Sequence, residues 1–306
     1  MNNIELTIDN YLWYCKTQKR LDEKTIKAYR IDLLQFSKLI NEMPLIDIDV
    51  STLENYISFL NSTYKPKSVR RKIASIKAFF HYLEYKDIIV FNPFNKIVTQ
   101  FREPVILPKV IPLNITEKFL STIYFQLAHA DTAYKRKNAL RDAAAIEILF
   151  FTGIRISELC SLKPEDINLS TGTILIYGKG SKERRLTIGN PQILHILSQY
   201  QSIYYHEINI CKHFFVNQSG KPLNDQAVRR MINKYCDLAS IDMHITPHMF
   251  RHTFATSLLE ADVDIRYIQE MLGHSSINVT QIYTHVATAK QREILISRHP
   301  RKDFYF

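Results

Sequence analysis

The chain has 306 residues and a formal charge of +10 at pH 7, from 40 Lys and Arg against 30 Asp and Glu, with 46% hydrophobic residues and 7 glycines. That length is two ordinary domains or one large one, and the apolar fraction supports a packed core, which excludes global disorder. So few glycines, about a third of the usual share, exclude collagenous and low-complexity architectures; with no GxGxxG or GxxxxGK[ST], they also argue against a glycine-rich nucleotide binder.

The first hundred residues read as helices. From Leu21 to Asn41 apolar residues fall at Ile26, Tyr29, Leu33, Phe36 and Ile40, one stripe of an amphipathic helix, with Asp22 placed to cap its start. A second stripe runs from about Ser68 to Tyr85 through Val69, Ile73, Ile76, Phe80 and Leu83. Shorter helices are predicted at 6–17 and 51–61. On the Ser68–Tyr85 helix Arg70, Lys77 and His81 share one flank, Arg71 and Lys72 add charge nearby, and no acidic residue interrupts Lys65 to His81. That flank is either a solvated face or a polyanion contact; its single sign favours contact.

Asn92-Pro93 stops the helical pattern, and Pro104, Pro108 and Pro112 follow in a stretch with no usable period, read as an interdomain linker over 101–112. Beyond it, helices are predicted at 115–128 and 140–152. TILIYG (173–178) and RRLTIG (184–189) are β-branched runs separated by KGSKE, a hairpin. Helices follow near 191–205, 224–239, 248–260, 264–272 and 277–296. Long helices around one short sheet make this part α-rich α+β.

The charge is distributed. Residues 1–100 carry 15 basic and 11 acidic residues, so both parts are net positive and any polyanion contacts both. Composition alone leaves open a basic protein without such a partner. Cys15, Cys160, Cys211 and Cys236 are far apart, with no CxxC pair, so reduced thiols are expected rather than a disulfide framework or zinc site. The N-terminus lacks the basic start and apolar core of a signal peptide, and the longest apolar run, AAAIEILFF, is broken by Glu147. A soluble intracellular protein is expected.

Four segments carry candidate chemistry: TGIRISEL (152–159), YGKGSKERR (177–185), TPHMFRHTFAT (246–256) and MLGHSSINVTQIYTH (271–285). Singly each is weak; Tyr283, for example, is one of 17 tyrosines. Their order and joint presence make the signal. Over essentially its whole length the sequence resembles the tyrosine recombinases of the Xer and phage-integrase type. Six positions match that family's active site: Arg155 in TGxRxSEL, Lys179 on the hairpin turn, His248 and Arg251 as an HxxR pair, His274 after Leu-Gly, and Tyr283 nine residues beyond.

The resemblance implies a mostly α fold with a small β-sheet. It comprises a four-helix, SAM-like core-binding domain (1–100), a linker (101–112) and a catalytic domain (113–306) with a C-terminal tail helix. It implies a site-specific recombinase that cuts and rejoins DNA through a 3′-phosphotyrosine and a Holliday junction, with no cofactor and no metal. Two always-charged guanidiniums, Arg155 and Arg251, suit the extra negative charge of a pentavalent phosphate. Tyr283 is the implied nucleophile; its hydroxyl, with a pKa of ~10, needs a base, and His248 is the family's candidate. Lys179 is the candidate acid for the leaving 5′ oxygen, and His274 would bond a phosphate oxygen. Glu158 is expected to steady an arginine, whereas His244 and His252 are not expected to act.

Lys182, Arg184 and Arg185 flank Lys179 as expected phosphate contacts, the alternative being a solvated turn. Gln226, Arg229 and Arg230 lie on a helix that docks in the DNA groove in relatives, and with Arg70, Arg71 and Lys77 they complete the expected DNA-binding set. The basic run 134–140 is either an added DNA contact or a longer loop. The implied partners are double-stranded DNA with inverted-repeat core sites and a homotetramer on two sites, with or without a second recombinase or accessory protein. No membrane is involved, and the expected location is the cytoplasm, at the nucleoid. Two alternatives stand beside this reading: religation of the same strand, as in a type IB topoisomerase, and a catalytically silent DNA-binding regulator. The Xer-like helical first domain argues against one and the intact six-residue set against the other.

Overall fold

Asp22 starts the second helix as its position demands. Its carboxylate accepts the Thr25 backbone N–H at 2.8 Å, and helix α2 (Glu23–Leu39) follows α1 (Ile4–Thr17). Asp49 does the same for α3 (Val50–Thr63) through Thr52, and Pro66 occupies the first turn of α4 (Pro66–Tyr85), where a missing N–H costs nothing. In this computed structural model, residues 4–40, 43–98, 108–178 and 183–273 are described. The chain divides into two compact units, Met1–Val105 and Ile106–Phe306.

The first unit closes around the predicted stripes. Leu33 and Phe36 of α2, its C-cap Ile40, and all five stripe residues of α4 are buried, while Ile26 and Tyr29 pack against them half-covered. Arg70, Lys77 and His81 are exposed on α4. Beneath them Asp32, fully buried on α2, accepts bonds from Arg71, from Lys72 at 3.2 Å and from Ser75 at 3.2 Å. Lys72 is therefore an interior cation, balanced by a buried carboxylate.

The second unit orders its helices as α5 (Leu113–Ala128), α6 (Ala133–Thr152) and α7 (Ile156–Ser161). The sheet follows, with β1 (Ile167–Asn168), β2 (Thr173–Tyr177) and β3 (Glu183–Thr187), and then α8 (Pro191–Ile203), α9 (Tyr205–Cys211), α10 (Asp225–Leu238), α11 (Pro247–Glu260) and α12 (Ile265–Leu272). The sheet is antiparallel in the order β1-β2-β3, with Thr173 opposite Thr187 and Tyr177 opposite Glu183, which is the predicted hairpin. α6 is the central element, buried without a break from Ala139 to Leu149.

Helix α6 also differs from expectation by starting at Ala133, seven residues early. Thr132 caps it by accepting the Lys135 N–H at 3.2 Å. The 134–140 run is therefore helical rather than loop: Lys135 pairs with Asp131, Lys137 with Glu207, and Tyr134 donates to Gln218. α7, β1 and α9 are additions too short to show a period in sequence. The expected tail helix at 277–296 lies outside the described residues. Mostly helical with one small sheet, the architecture is the expected α+β class. No described helix is long and apolar enough to cross a membrane.

Candidate active site

The site is built from helix ends. α6 stops because Gly153 turns left-handed (φ 60°) and donates its N–H to Leu149. A side chain there would collide with Phe254, whose Cδ1 lies 2.6 Å from the position a Cβ would take. The turn delivers Arg155 to the start of α7 with extended backbone. One helical turn on, Glu158 accepts the Arg155 N–H at 2.8 Å and its Nη1 at 2.8 Å. Among the described residues the other guanidinium N–H groups of Arg155 have no partner, and its side chain is 35% exposed.

Arg184 reaches the same carboxylate from β3. Its Nη1 and Nη2 donate to Oε1 and Oε2 of Glu158 at 3.2 and 2.7 Å, and its Nε donates to the Met271 carbonyl at 2.7 Å. Arg184 is 7% and Glu158 5% exposed. Burial opposes ionisation of Glu158, but the hydrogen bonds and charge of Arg184 and Arg155 outweigh it and hold the carboxyl below its ordinary range. This differs from the expectation for Arg184: an arginine with its fork on a buried carboxylate and its Nε on a carbonyl faces the interior. Arg185, the next residue on the strand, is exposed.

α11 supplies the HxxR pair. Pro247 opens the helix, His248 is exposed and Arg251 is 5% exposed three residues later. Arg251 Nη1 donates to the Gly153 carbonyl at 2.8 Å and Nη2 to the Leu272 carbonyl at 2.6 Å. One guanidinium thus joins the backbone two residues before Arg155 to the backbone two residues before His274. His252, half-buried, has its pKa lowered by burial and by the neighbouring His248 and Arg251. His244 is exposed.

Three of the six expected catalytic residues, Arg155, His248 and Arg251, are described; Lys179, His274 and Tyr283 lie outside the described residues, as does Lys182. On α10, Gln226 and Arg230 are exposed and Arg229 is partly covered, opposite an inward face of Val228, Met231, Ile232 and Tyr235. Sequence reasoning missed the second arm of Glu158 and the use of helix-end carbonyls as acceptors. The signal for the first was available: in a strand Arg184 shares a face with Leu186, which is partly buried, while Arg185 takes the other. No group of three His, Cys, Asp or Glu side chains among the described residues is placed to hold a metal ion.

Residues 122–290 match the Phage integrase family, and residues 8–86 match the Phage integrase N-terminal SAM-like domain. A tyrosine recombinase of Agathobacter rectalis is 70% identical over the full length of both chains. Tyrosine recombinase XerD of Listeria innocua is 36% identical, covering 96% of this chain and 98% of its own. Among solved structures, XerH site-specific recombinase bound to a palindromic difH substrate superposes with a TM-score of 0.76 at 25% identity, covering 92% of this chain and 82% of its own.

Proposed function

The chain belongs to the phage integrase family of tyrosine recombinases, and from that premise we propose how its own residues divide the work of site-specific DNA strand exchange. Tyr283 attacks a backbone phosphate, forming a 3′-phosphotyrosine and releasing a 5′-hydroxyl. His248 takes the tyrosine proton, and Lys179 gives a proton to the leaving oxygen. Arg155 and Arg251 stabilise the charge that builds on the non-bridging oxygens, with His274 bonding one of them. The 5′-hydroxyl of the partner strand then attacks the phosphotyrosine. Two such rounds, through a Holliday junction, exchange both strand pairs. Bond energy is kept in the covalent intermediate, so no high-energy cofactor enters.

The observation that supports this reading most is the pair of hydrogen bonds that Arg251 donates to the Gly153 and Leu272 carbonyls. It draws three motifs far apart in sequence toward one guanidinium. Arg155 adds a second cation whose outer N–H groups have no partner among the described residues. The exposed Arg70, Lys77, Gln226 and Arg230 are proposed DNA contacts, with Arg71 and Arg229 beside them. The proposed substrate is duplex DNA with inverted-repeat core sites at the nucleoid, worked on by four copies of the chain.

The test is covalent capture on a nicked suicide duplex. Wild type is expected to trap the DNA, and Tyr283→Phe to bind it without trapping. Covalent attachment by the Phe variant would sink the nucleophile assignment. Supercoil relaxation without exchanged products would replace strand exchange by same-strand religation.

A further inference from the structure

We propose that Arg184 is a positioning residue of the active site rather than a phosphate contact: it ties the β2–β3 hairpin, Arg155 and the end of α12 into one unit. This rests on the reading of Arg155, Lys179 and His274 as catalytic groups. Its guanidinium makes three bonds to two parts of the fold. Two go to the carboxylate of Glu158, which holds both the backbone N–H and the Nη1 of Arg155. The third goes to the carbonyl of Met271, in the last turn of α12.

The last carbonyls of a helix lack intrahelical partners. Here the two consecutive carbonyls Met271 and Leu272 are taken by Arg184 and Arg251, one guanidinium each. α12 then ends at Gly273, directly before His274 in sequence. The fit is close: a Cβ on Gly273 would stand 2.9 Å from Arg184 Nη1. Arg184 also sits in β3, the strand that follows Lys179 in sequence. A planar fork with a separate Nε–H can serve a carboxylate and a carbonyl at once; a lysine ammonium in its place lacks that geometry. At 7% exposure the side chain is poorly presented to a phosphate.

The experiment uses the full chain and a nicked suicide duplex built on the core site mapped from covalently captured DNA. Arg184→Ala, Arg184→Lys, Glu158→Ala and the Ala–Ala double variant are compared, each well below its own melting temperature. Affinity is expected to stay within about threefold of wild type, with an unchanged salt slope, since no phosphate contact is lost. Single-turnover capture at saturating protein is expected to fall on the order of 100-fold, as for a misplaced catalytic group. Arg184→Lys should not restore it. The double variant should be no slower than the slower single one, because both act through one contact.

Apart from activity, the Gly273 amide, bonded to the Glu270 carbonyl at 3.0 Å, should exchange with solvent at least about tenfold faster in Arg184→Ala. Capture by the Arg184→Ala variant at the wild-type rate, additive losses, unchanged exchange, or a salt slope lowered by about 0.9 would each overturn the proposal. If wild-type protein traps no DNA, the recombination reading fails, and the exchange measurement alone decides the tie.

Discussion

Removing Glu158 should cost more stability than its size suggests. Its carboxylate, 5% exposed, receives four N–H donors from Arg155 and Arg184. In Glu158→Ala, Arg184 remains a cation at 7% exposure that keeps, among the described residues, its bond to the Met271 carbonyl. Breaking a buried pair from one side costs about 3–5 kcal/mol. At roughly 2–4 °C per kcal/mol for a domain near 200 residues, melting should drop on the order of 6–20 °C. Glu158→Gln keeps the shape and one acceptor, so its loss should be nearer 1–3 kcal/mol, roughly that of one compromised charged hydrogen bond. The pH dependence gives a second reading. Because the folded carboxyl titrates below the ordinary 4.5, its contribution is fully present above pH 4.5 and fades as pH falls through the folded value. The gap between wild type and Glu158→Gln, followed by urea denaturation, should therefore be flat from pH 7 to 5 and narrow in acid. A melting temperature within a degree of wild type for the Ala variant, or a gap that widens in acid, would refute the reasoning.

Other perturbations separate the supports. Gly153→Ala puts a Cβ into the Phe254 ring at a positive φ, and should cost roughly 1–3 kcal/mol by overpacking and strain; because Arg251 bonds the same peptide, covalent capture should fall more than DNA affinity. Asp32→Asn leaves Lys72, 5% exposed, without its counter-charge and should destabilise the first unit by about 3–5 kcal/mol in denaturant titrations. His252, whose folded pKa lies below 6.5, should subtract stability as pH falls below 6.5, and His252→Gln should flatten that slope. Strand cleavage should persist in excess EDTA; a strict divalent requirement would overturn the metal-free chemistry.

The long amphipathic helices were legible because burial imposes a period that a sequence cannot hide. Val69 to Leu83 is the clearest case, and every residue of that stripe is buried. The start of α6 was not legible, since Lys135, Arg136 and Lys137 belong to turns with little buried face, and only Thr132 marks the cap. α7 has six residues, too few for a period, and forms because Glu158 closes its first turn onto Arg155. Within the site, Arg155, His248 and Arg251 are readable from spacing set beside a known family. The partners of the arginines are not, because two of Arg251's acceptors and one of Arg184's are main-chain carbonyls, and a carbonyl leaves no mark on residue identity.

Those carbonyls explain why the scarce glycines fall where they do. Gly153 and Gly273 both end helices in the left-handed conformation, at φ 60° and 63°. Such an end turns the chain sharply and leaves nearby carbonyls pointing outward, short of donors. An apolar environment would make those carbonyls expensive to bury. Here Arg251 binds one from each turn, Gly153 itself and Leu272, and Arg184 binds the next, Met271. Each guanidinium satisfies the helix end while the helix end fixes the guanidinium. Among the described residues the result is a set of guanidiniums fixed by main-chain carbonyls and by the carboxylate of Glu158. For the proposed role in binding a phosphate diester that arrangement has a use: backbone carbonyls immobilise the cations before the anion arrives, and a neutral dipole takes less of a cation's field than a carboxylate does.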